Sequence, residues 1–137
     1  MSDVSSKKIY AEKNEFTLFH VLDFSVLDTA VGCYTLDFEL PPYHQVVGAT
    51  LFPETALDSA GDAVTISVGT DDVASEPDNL LNDITQASLQ TAVANGTPTD
   101  AALVDTGSDE APVAYEVKTE AITAGKLVLG VTLRPYR

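Results

Sequence analysis

Several short stretches of the chain alternate apolar and polar residues with a period of two. In residues 126–134 the alternation is clearest, and the apolar face consists of Leu127, Leu129, Val131 and Leu133. Similar alternation marks residues 31–40, 46–52, 63–68 and 113–118. Because successive side chains of a strand point to opposite faces, each stretch predicts a strand with one buried and one wet face.

Residues 15–24 follow the alternation less regularly. One register holds Phe16, Leu18, His20 and Leu22, and the other holds Phe19, Val21 and Asp23. We interpret this stretch as a further strand. Since His20 lies between Leu18 and Leu22, we expect a core or interface histidine rather than a catalytic base.

Turn residues separate these stretches. Pro41 and Pro42 must interrupt strand pairing, because proline donates no backbone hydrogen bond. Residues 59–62 and 123–126 have the composition of hairpin connections, and Gly125 can adopt a positive φ. We therefore expect strands that follow one another in the sequence to pair. Residues 78–90 predict one short helical segment, with Asp78 or Asn79 as its N-cap.

The remaining segments predict loops and an arm. Residues 94–111 are rich in Gly, Pro, Thr and Asp and predict a long exposed loop, with room for a short strand at residues 101–104. Residues 1–14 form a polar N-terminal arm, and residues 15–137 form one domain. Short strands at about ten-residue spacing predict an all-β, antiparallel sandwich or barrel of about six to eight strands.

Charge excludes several partners. The 137 residues contain 7 Lys and Arg against 21 Asp and Glu, a net charge of −14. Between Lys13 and Lys118 there are eighteen carboxylates and no Lys or Arg. Such a surface repels phosphate backbones, so neither direct nucleic-acid binding nor binding to anionic membranes is expected. No signal-peptide or membrane-spanning stretch is present, which predicts synthesis in the cytoplasm.

Candidate catalytic and metal-binding chemistry is sparse. Cys33 is the single cysteine, and its spacing from His20 and His44 matches no zinc pattern. The acidic cluster of Asp71, Asp72, Glu76 and Asp78 lacks the EF-hand spacing; a solvated loop is favoured there, with calcium binding left as the alternative. The sequence contains no common hydrolase or nucleotide-binding motif. We expect neither enzyme activity nor a cofactor.

The positive charges lie near the two ends of the chain and suggest docking to a partner. Arg and Tyr are enriched in interface cores. The candidate binding residues are Lys7, Lys8, Tyr10 and Lys13 near the start, and Arg134, Tyr136 and Arg137 at the end. Solvated, frayed termini are the alternative.

The order of segments resembles a known class of proteins. The stretch LPPYHQVVGATLFPETALDSAGDAVTISVGTDD, the short LLNDIT and the closing TAGKLVLGVTLRPY resemble small structural proteins of tailed-bacteriophage virions, particularly capsid decoration or cement proteins. The resemblance implies a jelly-roll-like β-sandwich on the outer capsid surface, with no catalysis. It also implies binding to the major capsid protein as a homo-oligomer, with a trimer favoured and a dimer as the alternative.

Two other functions are compatible with a β-sandwich. A phage fibre or a receptor- or carbohydrate-binding module is the main alternative, although sugar-binding platforms usually use Trp or paired Tyr, and Trp is absent. A glycosidase would need a cleft that contains an acid with a perturbed pKa, for which short strands leave little room.

Overall fold

Within the residues that the computed structural model describes, 15–70, 77–89, 94–95 and 106–136, the chain forms two four-stranded antiparallel sheets. The first sheet has the order β1-β8-β3-β6 and the second β2-β7-β4-β5. The strands are β1 (Phe16–Asp23), β2 (Gly32–Leu40), β3 (His44–Ser59), β4 (Thr65–Thr70), β5 (Leu81–Thr85), β6 (Ala94–Asn95), β7 (Ala111–Lys118) and β8 (Ile122–Pro135).

This strand order is that of an eight-stranded jelly roll, and the predicted all-β sandwich is confirmed. Most strands pair with partners that are distant in the sequence: β1 and β3 both pair with β8, and β2 and β4 both pair with β7. The prediction that successive strands pair is therefore wrong, except for β4 with β5. Turn residues show where the chain changes direction, but they do not show which sheet receives the next strand.

Both predicted hairpin connections are wrong for this reason. Residues 59–62 carry the chain from β3 in the first sheet to β4 in the second. Residues 123–126 lie inside β8, where the register against β3 shifts between Lys126 and Ala124. Gly125 does have a positive φ of 146°, and a Cβ there would lie 3.0 Å from the Cα of Leu57. The glycine permits an irregularity within a long strand rather than a reversal.

The core lies between the sheets and follows the predicted alternation. All four apolar residues of the β8 register, Leu127, Leu129, Val131 and Leu133, are fully buried. Tyr115 on β7 is the largest fully buried side chain; its hydroxyl donates to the carbonyl oxygen of Asp28 at 2.7 Å. Burial raises the pKa of Tyr115 to about 12, so this phenol is a neutral hydrogen-bond donor.

The segment predicted as helical is mostly extended. It contains β5 and only a three-residue 3₁₀ turn, Ala87–Leu89. Asn79 caps no helix; its amide oxygen accepts from the backbone N–H of Thr70 at 2.8 Å and its amide nitrogen donates to the Thr70 hydroxyl at 2.8 Å. Leu80, Leu81 and Leu89 are buried, so the leucine spacing reflects core packing of a strand and turn.

The predicted arm, residues 1–14, lies outside the described residues, as does the candidate strand at 101–104. Of the predicted loop at 94–111, the described part includes β6 and residues 106–110. The Thr106 backbone N–H donates to the His44 carbonyl oxygen at 3.0 Å, and the Tyr43 backbone N–H donates to the Gly107 carbonyl oxygen at 2.7 Å. These bonds fix the end of the loop beside the start of β3.

Candidate interaction surfaces

The sequence-predicted binding residues divide between described and undescribed parts of the chain. Lys7, Lys8, Tyr10, Lys13 and Arg137 lie outside the described residues. Arg134 and Tyr136 are described, and both lie at the end of β8.

Arg134 lies beside the beginning of β1, where the predicted arm joins the domain. Its Nη1 is 3.4 Å from Oε2 of Glu15, and its Nη2 is 3.4 Å from Oε1 of Gln45. The ion pair with Glu15 is solvent-exposed, and such pairs contribute about 0–1 kcal/mol. Arg134 therefore keeps the capacity to interact with a partner.

Two pairs of aromatic rings lie at the same end of the sandwich as Arg134. The Tyr136 ring meets the Tyr43 ring edge-on at a centroid distance of 6.3 Å, and the Phe16 ring meets the His44 ring edge-on at 5.3 Å. The Tyr136 backbone N–H donates to the Tyr43 carbonyl oxygen at 3.1 Å, which fixes the chain end against the turn before β3. We call Phe16, Tyr43, His44 and Tyr136 the aromatic end.

A second surface was not predicted from the sequence. On the outer side of the first sheet, three rows of facing residues from β1, β8 and β3 contain no ionisable side chain. We call these nine residues the neutral face: Thr17, Thr132 and Gly48; Phe19, Gly130 and Thr50; and Val21, Val128 and Phe52.

Two large apolar side chains are exposed on the neutral face. Phe19 is 62% exposed and Val21 is 46% exposed. The Phe19 ring extends across β8, because a Cβ built on Gly130 would lie 3.1 Å from its Cε1 atom. Its centroid is 6.5 Å from that of Phe52 on β3. The Phe19 ring therefore lies close to the backbone of β8 and forms, with the Phe52 ring tilted at 37° to it, an apolar surface.

Polar groups border the neutral face on both sides. Beyond the row of Thr17 and Thr132, whose hydroxyls are 2.8 Å apart, lies Arg134. At the opposite border Asp23 pairs in register with Lys126, whose Nζ is 3.9 Å from Oε1 of Glu54. The three rows of the neutral face thus lie between two rows that contain charged residues.

The outer side of the second sheet is acidic. Asp37 and Glu39 alternate along β2 on its exposed face, and Glu116 lies on the neighbouring β7. A hydrogen bond with the carboxyl group of Glu110, together with that group's negative charge, raises the pKa of Glu39. Lys118 on β7 binds Asp83 at 2.8 Å and is surrounded by carboxylates, which raise its pKa.

The chain itself covers part of this second outer side. A Cβ at Gly69 on β4 would lie 2.6 Å from the carbonyl carbon of Pro77 and 2.7 Å from the backbone nitrogen of Asp78. The segment before β5 therefore crosses directly over β4. The Ser67 hydroxyl, which is fully buried there, accepts from the Asp83 backbone N–H at 2.9 Å.

A cluster of polar groups ties three connections together at one end of the sandwich. Oε1 of Glu120 accepts from the backbone N–H groups of Gly61 at 2.9 Å and Ala63 at 2.8 Å, and lies 2.5 Å from the Ser59 hydroxyl. The Ser59 hydroxyl also contacts the side-chain oxygen of Gln86. The hydrogen bond from Ser59 and those from the backbone lower the pKa of Glu120. These bonds occupy the carboxylate, which makes the cluster a structural one.

A cleft with a volume of about 280 Å³ lies between the end of β1 and the irregular part of β8. Its lining includes Asp23, Ser25, Thr55 and Lys126. The Ser25 hydroxyl and backbone N–H donate to Asp23 at 2.7 and 3.0 Å and lower its pKa. Asp23 is therefore ionised at neutral pH and lacks the raised pKa that a general acid requires.

Metal-binding clusters and membrane-spanning helices are lacking among the described residues. Within this part of the chain, no group of three or more His, Cys, Asp and Glu side chains is arranged to hold a metal ion. Of the acidic cluster proposed as a calcium alternative, only Asp78 is described. No helix in the described ranges is long and apolar enough to span a membrane.

One feature of the sequence indicated the neutral face. Residues 15–24 carry apolar residues in both registers, which is the pattern of a strand with two apolar faces. The inner register includes the fully buried Leu22, and the outer register supplies Phe19 and Val21. The contributions of Phe52 and Val128 required the pairing of β3 with β8.

Neither the protein-family models nor the curated proteins contain a match to this chain. Chains in solved structures do match it. A chain in the capsid asymmetric unit of cyanophage Pam1 is 22% identical with TM-score 0.65, and the match covers 89% of this chain and 85% of that chain. A chain in the acidic stable capsid of Helicobacter pylori bacteriophage KHP30 is 23% identical with TM-score 0.59, covering 88% and 86%. A chain in the capsid of Ralstonia phage GP4 is 19% identical with TM-score 0.65, covering 90% and 84%. These similarities establish a shared fold.

Proposed function

We propose that this protein is a virion structural protein, specifically a decoration or cement protein on the outer surface of a tailed-phage head. The observation that carries the proposal is the match of its jelly roll, over about nine tenths of the chain, to chains of three phage capsids. The matches also cover 84–86% of those chains.

The proposed mechanism is mechanical. A small protein seated across a junction between coat subunits adds contacts that must break before the subunits separate. Several linked copies would hold several coat subunits at once, so weak individual contacts add through their high effective concentration. The partner is the major capsid protein, and a trimer is favoured over a dimer because capsids offer threefold positions. This role requires no enzyme activity, cofactor, nucleic acid or membrane.

We propose that the domain of residues 15–137 docks onto the coat through its aromatic end, assisted by the arm of residues 1–14. Arg134 and Tyr136 lie at this end, and Glu15, the first described residue, contacts Arg134. Tyr136 is 46% exposed and supplies an apolar ring next to a cation. Lys7, Lys8, Tyr10, Lys13 and Arg137 belong to the same proposed surface. In a chain with a net charge of −14, these cations supply positive charge to the proposed docking surface.

The test measures binding to phage heads that lack this protein. Purified protein is mixed with such heads, and occupancy and the temperature of head disruption are measured. We expect binding and a higher disruption temperature. Arg134→Gln combined with Tyr136→Ala should reduce occupancy at least tenfold, whereas Lys126→Gln, which removes a cation from the opposite end of β8, should not. Absence of binding by the parent protein would refute the proposed function. Equal occupancy of the double variant and of Lys126→Gln would refute the proposal that the aromatic end contacts the coat.

A carbohydrate- or receptor-binding module is a second candidate because the exposed Phe19 ring extends over Gly130, one row from the hydroxyls of Thr17 and Thr132. Sugars stack on such rings, although Trp or Tyr is more usual. Binding to a glycan array that is lost in Phe19→Ser would support this candidate. Capsid occupancy without any glycan binding would support the decoration protein.

A further inference from the structure

The neutral face contrasts with the charge of the whole chain. The protein carries a net charge of −14, yet the nine neutral-face residues contain no ionisable group and expose Phe19 and Val21 on β1, the edge strand of the first sheet. Exposed contiguous apolar surface bordered by charged residues is characteristic of a protein interface. We infer that the neutral face and the adjoining edge of β1 bind a second copy of this chain.

The four strands at the sheet edges support this assignment. Free strand edges invite pairing with other chains, and proteins usually protect them by shortness, charge or irregularity. The two-residue β6 is very short, and β5 has five residues with Asp83 at a positive φ. The longer β2 exposes Asp37 and Glu39 and has a break in its register.

Within the part of the chain that the structure describes, β1 has none of these features before Asp23. It pairs with β8 over eight residues without a register shift, and its sequence FTLFHVLD has no proline and no carboxylate before Asp23. Its outer side contributes Phe19 and Val21 to the neutral face. The unprotected edge and the exposed apolar surface therefore coincide on one strand, which is the arrangement expected if another molecule covers both.

Charge identifies the occupant. A basic partner would gain most by contacting carboxylates, and those are on the outer side of the second sheet, on β2 and β7. Two copies of an acidic chain repel each other, and their contact costs least where neither presents a carboxylate. Among the described outer surfaces of the two sheets, the neutral face meets this condition. A second copy is therefore the occupant that the charge distribution favours.

The inference specifies a surface for the homo-oligomer that the proposed function includes, but its test needs no capsid, so a failure to self-associate is distinguishable from a failure to bind phage heads. The mass of the purified chain is measured by sedimentation velocity at micromolar concentrations. We expect an oligomer that dissociates at least tenfold more readily in Phe19→Ser combined with Val21→Thr. The matched control combines Cys33→Ser with Thr35→Ser, which changes two exposed positions on β2 of the other sheet and should leave the mass unchanged.

Loss of association must be distinguished from loss of folding. Thermal melting must show that the variants remain folded, and if the double variant does not, Val21→Thr alone takes its place. Added salt should strengthen association of the parent protein, since it screens the repulsion between acidic copies without weakening apolar contacts. A monomeric parent protein, or a neutral-face variant that associates as strongly as the control, would overturn the inference. A monomer whose neutral face binds glycans would overturn it in favour of the second candidate function.

Discussion

The two sheets of this sandwich are alike on their inner sides and different on their outer sides. Inside, each presents an apolar register to the common core, such as Leu129 and Val131 from β8 or Val113 and Val117 from β7. Outside, the first sheet presents the neutral face, with Phe19 exposed. The second presents carboxylates along β2 and is covered over β4 by the segment before β5.

This difference shows where a function can reside in a small sandwich. The inner alternation is required by the core in any such fold, since burying apolar surface drives folding. An apolar outer side contributes little to that core and exposes the protein to association, so its presence needs another explanation. A carboxylate-rich outer side keeps the remainder of the molecule solvated and prevents association there.

Gly69→Ala adds a methyl group beneath the segment that covers β4 and should have the largest effect on stability. The new Cβ would lie within 3 Å of two backbone atoms of the segment that crosses β4, and backbone cannot move as easily as the tip of a side chain. We expect a loss of about 1–3 kcal/mol in the free energy of unfolding, measured by urea denaturation. A loss below about 0.5 kcal/mol would mean that the segment is not fixed on the sheet.

Gly130→Ala is the matched change on the neutral face and should have a smaller effect on stability. Its Cβ would lie 3.1 Å from the Phe19 ring, which can rotate away, and at an ordinary contact distance of 3.5 Å from the Thr17 methyl. We expect a change in unfolding free energy within about 1 kcal/mol. Because displacing the Phe19 ring changes the shape of the neutral face, self-association measured by sedimentation velocity should weaken. Stability loss equal to that of Gly69→Ala would contradict the contrast between the two sides.

The pH dependence of Glu120→Gln tests the polar cluster. The folded-state pKa of Glu120 lies below its usual value, so the ionised form stabilises the fold above that value and this contribution is lost as the pH falls through the folded-state pKa. The variant should therefore melt at a lower temperature than the parent at pH 7, and the gap should narrow in acid. A constant gap at all pH values would exclude ionisation as its cause.

Glu39→Gln should show the opposite sign and the smallest effect. Its pKa is raised by Glu110, so the ionised form is disfavoured in the fold and the parent protein gains stability as the pH falls through that raised pKa. The variant should be slightly more stable than the parent at pH 7, with the advantage fading in acid. Thermal melting at both pH values measures it, and a destabilised variant at pH 7 would mean that Glu39 makes a favourable contact.

How much the sequence could predict depended on whether the signal was local. The buried register of β8 and the inward positions of β2, Leu36 and Leu40 among them, followed from local alternation and are confirmed. The pairing of β1 with β8 spans more than a hundred residues, and no local pattern encodes it. The hairpin predictions failed because Gly125 and residues 59–62 report only local backbone geometry.

The candidate surfaces illustrate the same limit. Composition indicated that Arg134 and Tyr136 are unusual in an acidic chain, but only the fold shows that Glu15 and Gln45 already contact Arg134. The two-sided pattern of β1 was visible in the sequence. Its meaning depended on Val128 and Phe52, which join Val21 in one row only through the pairing of three strands.

The most direct test of the contrast between the outer sides is the rate of thiol modification in the assembled protein. Cys33 is the natural reporter of the acidic side, since it is exposed on β2. Val21→Cys in a Cys33→Ser background reports the neutral face. Comparing rates at assembling and at dilute concentrations, we expect Val21→Cys to react at least tenfold more slowly when assembled, while Cys33 reacts at the same rate in both states. Equal rates for Val21→Cys in the two states, or protection of Cys33 instead, would contradict this account.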